Sequence, residues 1–168
     1  MRFLVLLALA LASLMAPANA AEVYRGRCAM DECGWFLIQE KSIVASDQNG
    51  ALFRVTLQRF TTRRANDRPP PRKDWKTSDG YVLCSKDRPA VVFQSDGEWL
   101  AHRLAPAQPT AYAGYNLSSY VQYFAVCHAL GLPAIDEALL AKARALGYPA
   151  SGTADQIKLS KPEDILTP

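Results

Sequence analysis

The sequence predicts an α+β domain: an antiparallel sheet of about five strands in meander order, followed by two C-terminal helices packed on one face. Three observations predict it. Apolar and polar residues alternate through the first half, with turn signals between the runs. After Asn116 the apolar period lengthens to three or four residues. Four cysteines are spread so that one bridge would join the two halves.

The elements follow in order. Trp35–Ser46 is mixed apolar and β-branched, and the turn signal "DQNG" (Asp47–Gly50) follows it. In Ala51–Phe60, Phe53, Val55 and Leu57 face one way while Arg54, Thr56 and Gln58 face the other, as in a half-buried strand. Three consecutive prolines, Pro69–Pro71, rule out a strand centre or helix interior there and predict an exposed loop. "YVLCS", "PAVVFQS" and "WLAHRL" supply three more strands, the last two joined by the turn "SDGE". In the first helix Leu117, Tyr120, Phe124 and Cys127 share a face. Asn116, Ser118 or Ser119 suits its start and Gly131 its stop. Pro133 opens the second helix, Asp136 and Glu137 occupy its first turn, Lys142 and Arg144 lie near its end, and Gly147 closes it. The tail 150–168 is expected to be extended or disordered.

Residues 1–20 read as a cleavable signal peptide. Arg2 precedes the apolar run "FLVLLALALASLMA", and Ala18–Asn19–Ala20 resembles a cleavage site. The expected location is periplasmic or secreted, with the single α+β domain spanning 21–149. Removing twenty of the 168 residues leaves 148, enough for one core. Losing Arg2 leaves 18 basic residues against 16 acidic ones, a net charge of about +2. No later stretch has the length of a transmembrane segment. Export and the low net charge argue against nucleic acid as a partner.

In an exported chain, Cys28, Cys33, Cys84 and Cys127 suggest two disulfides. Three pairings are possible. The favoured one is Cys28–Cys33, closing a local loop, with Cys84–Cys127 tying a strand to a helix. A tetrahedral zinc site is the rival, but the paired CxxC pattern is missing, and no metal or cofactor is expected.

Catalytic signals are weak. His102 shares a strand face with Leu100 and Leu104 and reads as a partly buried structural residue. His128 falls in the last turn of a helix, where the dipole favours a cation. Cys127 and His128 are neighbours on that helix, so their side chains point about 100° apart and make a poor nucleophile–base pair. No GxSxG elbow, phosphate-binding glycine loop or HExxH occurs. A small hydrolase with an unrecognised site stays open as a third reading.

Two features point to binding. From Arg54 to Lys76 eight basic residues face two acids, Asp67 and Asp74, so this segment carries about +6. Its loop, 61–76, offers Arg63, Arg64, Arg68, Arg72 and Lys73, with Trp75 as a stacking surface, to an anionic envelope polymer. The alternative is a solvated loop that keeps a sheet edge soluble. The other feature is "CAMDEC", a short loop between Cys28 and Cys33 with Met30, Asp31 and Glu32 at its tip. It would serve a protein partner, or serve only as a staple that orients the first strand.

The run "CAMDECG", then an apolar strand, "EKS", a turn and "GALF", resembles the loop-and-hairpin region of Ivy-type lysozyme inhibitors of bacterial periplasms. The resemblance spans Cys28 to Phe53. It implies a disulfide-closed loop that protrudes into the active cleft of a lysozyme. Where that family carries a histidine before an aspartate, this loop has Asp31 and Glu32 and no histidine. The leading expectation is therefore a non-enzymatic binding protein, inhibitor-like, presenting a disulfide-closed acidic loop.

Overall fold

The computed structural model describes residues 22–63, 68–69, 71–108, 115–131 and 137–167. Seven strands form one antiparallel sheet in sequence order: β1 (Val23–Ala29), β2 (Glu32–Asp47), β3 (Gly50–Arg63), β4 (Lys76–Ser85), β5 (Ala90–Ser95), β6 (Glu98–Arg103) and β7 (Asp155–Leu159). The sheet is curled into a half-barrel. Helix α1 (Leu117–His128) lies on its inner face across β1, β2, β4 and β5, and α2 (Glu137–Ala145) adds Leu139 and Ala143 to the same core.

The meander and the α+β class stand as expected, but the sheet has two more strands than five. Both additions are edge strands, where charged side chains blunt pairing with other chains. Both are short, seven and five residues, and offer few apolar side chains to mark them. Arg25 and Arg27 are exposed along β1, and Gln156 and Lys158 along β7. The helices are therefore not the last elements. The tail returns as β7 beside β6 and ends in a 3-10 turn at Pro162–Leu166.

The register sets the two faces, because cross-strand partners share a side. Phe53, Val55 and Leu57 of β3 face α1, opposite Val82, Gly80 and Ser78 of β4. Tyr120, Val121 and Phe124 of α1 fill this inner core. On the outer face, Leu52, Leu83, Val92 and Ala101 pack under Ile165 of the C-terminal turn. At the other end of that face Cys33, Trp35, Leu37 and Trp75 form a separate cluster. Polar residues separate the two: Asp79 accepts from Arg54 Nη2 at 2.6 Å and from Thr56 Oγ1 at 2.8 Å.

Helix α1 ends sooner than Gly131 suggests. Ala129 takes the left-handed position (φ 51°), and the Leu130 amide bonds back to the Phe124 carbonyl at 3.2 Å. Asn116 holds the N-cap position without a side-chain capping bond. Helix α2 stops as expected, with Gly147 at φ 88°. The expected start of that helix, Pro133 and Asp136, lies outside the described residues, as does the segment 1–20. Both expected bridges, Cys28–Cys33 and Cys84–Cys127, are present, and the second ties β4 to α1. Among the described residues, no helix is long and apolar enough to cross a membrane.

Candidate functional site

The β1–β2 hairpin is built to hold a fixed tip. Ala29 pairs with Glu32 across a two-residue turn. Met30 (φ 50°) and Asp31 (φ 59°) both have positive φ, as a type I′ turn requires. Cys28 and Cys33, directly opposite each other, are bridged one pair below the turn. Met30 is 96% exposed, and Asp31 and Glu32 are exposed beside it. Underneath, Cys33 is fully buried against Trp35, Leu37 and Trp75. Trp35 Nε1 donates to Thr62 Oγ1 of β3 at 2.7 Å, and Arg25 lies over the Trp35 ring. The base is packed and the tip is open.

The basic segment divides. Arg63 ends β3, opposite Glu32, so the positive charge begins beside the tip. Arg68, Arg72 and Lys73 are exposed, the last two in a 3-10 turn at Arg72–Asp74. Arg64 lies outside the described residues. Trp75 does not offer the expected stacking surface. It is only 8% exposed, with its ring 6.4 Å from that of Phe60, because the chain turns back there to start β4 over the outer-face cluster.

The histidines belong to two separate networks. His102 is 7% exposed, with Nδ1 2.7 Å from Ser119 Oγ on α1 and Nε2 2.8 Å from Gln156 Oε1 on β7. Burial lowers its pKa, opposed by the bond to Gln156. It is structural, as its strand position suggested. His128 Nε2 lies 2.6 Å from the Tyr148 hydroxyl. That hydroxyl is 2.6 Å from the Tyr123 hydroxyl, which donates to the Ser85 carbonyl at 2.8 Å. Burial raises the pKa of both tyrosines. Burial and the Lys86 ammonium, which sits 4.6 Å over the Tyr148 ring, lower that of His128.

This second network lines an open cleft of about 340 Å³ with Asp47, Asn49, Lys86 and the Cys84–Cys127 bridge. Sequence reasoning missed it. Tyr123 reads as part of a helical apolar stripe, and Tyr148 follows a helix stop with nothing to mark its partner. The bridge removes Cys127 as a nucleophile, so the chain of hydroxyls pins α1, the end of α2 and β4 together. Among the described residues no cluster of three His, Cys, Asp or Glu side chains could hold a metal ion. No protein-family model, curated protein or solved structure matches the chain.

Proposed function

We propose that this is an exported binding module that presents Met30, Asp31 and Glu32 to a cleft on a protein partner. One observation carries the reading: the residue at position 30. A type I′ turn favours Asn-Gly or Asp-Gly, because both central residues need positive φ. The same chain obeys that rule at Asp96 (φ 51°) and Gly97 (φ 82°). At the tip it instead places a methionine in the left-handed region, with its side chain in solvent. Neither choice helps the fold. Backbone outliers of this kind collect where function overrides stability. A flexible thioether suits an apolar pocket. Two flanking carboxylates suit a basic rim through charge-assisted hydrogen bonds. The bridge and the packed base lower the entropy lost on docking.

The resemblance to Ivy-type inhibitors makes a lysozyme the first partner to test. The purified protein is titrated against lysozymes of several types while cell-wall lysis is followed. Slowed lysis that Met30→Asn, or Asp31→Ala with Glu32→Ala, relieves would support the reading. No inhibition by the wild-type chain across those types would end the lysozyme version.

A second reading uses the exposed Arg63, Arg68, Arg72 and Lys73 to bind an anionic envelope polymer. Their continuity with the tip, through the Glu32–Arg63 pair, favours it. Co-sedimentation with such a polymer that weakens as salt rises is the expected result. Binding that ignores salt, or no binding, would remove this reading.

A further inference from the structure

The bridge beneath the hairpin tip has a cation built onto it. β1 pairs Arg25 with Trp35 and Cys28 with Cys33, with a register shift between the two pairs. Two residues of β1, Gly26 and Arg27, therefore stand opposite the single residue Gly34, which makes a β-bulge. The bulge decides where Arg25 points. Side chains alternate along a strand, so residues three apart face opposite ways in a regular one. With the extra residue, Arg25 and Cys28 share the outer face with Trp35 and Cys33. Helix α1 holds the bulge in place. The Arg27 amide donates to Ser118 Oγ at 3.0 Å, and a Cβ on Gly26 would lie 3.0 Å from that same oxygen. The Arg25 guanidinium then reaches both sulfurs: Nε lies 3.2 Å from Cys28 Sγ and Nη2 lies 3.7 Å from Cys33 Sγ. The sulfurs differ in access. Cys33 is fully buried, whereas Cys28 is half-buried and meets Arg25 at the surface. Glu32, the carboxylate next to Cys33 in sequence, sits on the opposite face of β2.

We propose that Cys28–Cys33 is a redox site, a bridge that exchanges with a dithiol reductant while the fold stays intact. In the first step a reductant thiolate attacks the accessible Cys28 sulfur. A new S–S bond forms there, the Cys28–Cys33 bond breaks, and Cys33 leaves as a thiolate that takes up a proton. The reductant's second thiolate then attacks the reductant sulfur of the mixed disulfide. Cys28 is released as a thiolate and is protonated in turn. The chain has gained two electrons and two protons, and the dithiol has become a disulfide. During the first step one negative charge is spread over sulfurs in a row, and a guanidinium that touches both Cys28 and Cys33 stabilises it. Cys33 needs this most, because burial against Trp35, Leu37 and Trp75 disfavours its thiolate. The β1–β2 ladder and that packed cluster hold the hairpin when the bridge opens, so what is released is the Met30–Asp31 turn. The exchange itself depends on the bridge alone. Its consequence, a tip switched by redox state, rests on the tip being a binding surface.

The test is the rate of bridge opening in the whole mature chain. Mercaptoethanol with an acid quench traps the first mixed disulfide, and dithiothreitol completes the reduction. Alkylation and peptide mapping then read each cysteine, with Cys84–Cys127 as the internal reference. Cys28–Cys33 should open first, with the trapped thiol on Cys28 and the far-ultraviolet circular dichroism unchanged. Arg25→Gln should slow opening about three- to fivefold, the worth of one exposed charge contact, and Arg25→Lys should restore it to within about twofold. The sign separates this from a structural role. If Arg25 only packed on Trp35, its loss would loosen the hairpin and speed opening. An unchanged or faster rate in Arg25→Gln overturns the proposal. So does a trapped thiol on Cys33, or opening of both bridges together as the chain unfolds. Should Arg25→Gln fail to fold, the wild-type trap decides. No partner enters the assay, so its failure says nothing against binding at the tip, and a failed lysis titration says nothing against the bridge.

Discussion

The hydroxyls of Tyr123 and Tyr148 lie 2.6 Å apart, and only one order of donors satisfies the chain they belong to. The Ser85 carbonyl can only accept, so Tyr123 gives its proton there. Tyr148 must then donate to Tyr123, and His128 must donate to Tyr148 from Nε2–H. Neutral His128 is thus held in the Nε2–H tautomer, and any added proton goes to Nδ1. Long-range ¹⁵N–¹H correlation of the imidazole at neutral pH should show Nε2 as the protonated nitrogen. The Nδ1–H tautomer would break the chain as described.

The same chain predicts a stability effect. Tyr148→Phe leaves the His128 N–H without its acceptor and Tyr123 without a donor; Tyr123→Phe strands the Ser85 carbonyl and the Tyr148 hydroxyl. Each should cost about 1–3 kcal/mol in urea unfolding. Because the two share partners, the double variant should cost less than the sum. Strict additivity would mean the hydroxyls act independently.

Both described histidines have folded pKa values lowered by burial. The unfolded value is about 6.5. Between the folded values and about 6.5 the unfolded chain binds more protons, so stability rises with pH across that window. It is fully present above about pH 6.5 and falls as pH drops through the folded values. Asp47, Asp79 and Asp155 are held below the usual carboxylate range, by the Asn49 amide, Arg54 and Arg103 respectively. Their contribution is lost only at lower pH, starting near about 4. The urea midpoint should therefore already fall between pH 7 and pH 5. A flat midpoint there would contradict the burial of both imidazoles.

How much of this was legible follows from what each residue type advertises. Alternation in Ala51–Phe60 stated its own register, and the structure keeps Phe53, Val55 and Leu57 on the helix side. The strands β1 and β7 were hidden because each is short: Ile157 and Leu159 alternate with Gln156 and Lys158 over only five residues, and Arg25–Gly26–Arg27 interrupts the apolar residues of β1. Trp75 shows the limit in the loop. A tryptophan after a basic stretch looks the same in sequence whether it meets solvent or Phe60. The Arg59–Gln122 contact spans 63 positions, and the His128–Tyr148 bond joins two elements whose packing no local period encodes. The tip was legible as a place, through its cysteines. Its backbone conformation at Met30 was not.

The two bridges should differ in weight. Cys84–Cys127 closes a span of 43 residues and Cys28–Cys33 one of 5. In the loop-entropy model, removing them by paired Cys→Ala substitution costs about 4 and about 2 kcal/mol. Loss of the short bridge should leave far-ultraviolet circular dichroism close to wild type while loosening the tip. Equal costs, or unfolding only on loss of the short bridge, would contradict the packing of α1 through Cys127.

Gly50 tests the turn beside the second network. A Cβ there would lie 2.4 Å from the Cys84 carbonyl oxygen and 3.0 Å from Ser85 Cβ. Those are β4 atoms locked by the Cys84–Cys127 bridge and by the Tyr123 bond to Ser85, so they cannot yield cheaply. Gly50→Ala should cost about 1–3 kcal/mol through overpacking. At Gly97, where the space is open, Gly97→Asn should be far milder, since asparagine tolerates positive φ. Equal thermal shifts for the two variants would refute the close approach at Gly50.

The sharpest prediction concerns the tip. If Met30 is there for a partner, the fold should improve when the turn receives the residues its geometry favours. Met30→Asn with Asp31→Gly supplies the preferred type I′ pair. Relief of positive-φ strain at Met30, and of apolar surface in water, should raise stability by about 0.5–1 kcal/mol. The same variant removes the exposed thioether and one carboxylate, so binding through the tip should be lost. The paired measurement is a urea midpoint and a partner titration on one preparation. Higher stability with lost binding is the signature of a turn held against its own preference. Lower stability in the variant would mean that Met30 serves the fold, and the hairpin would then be a staple.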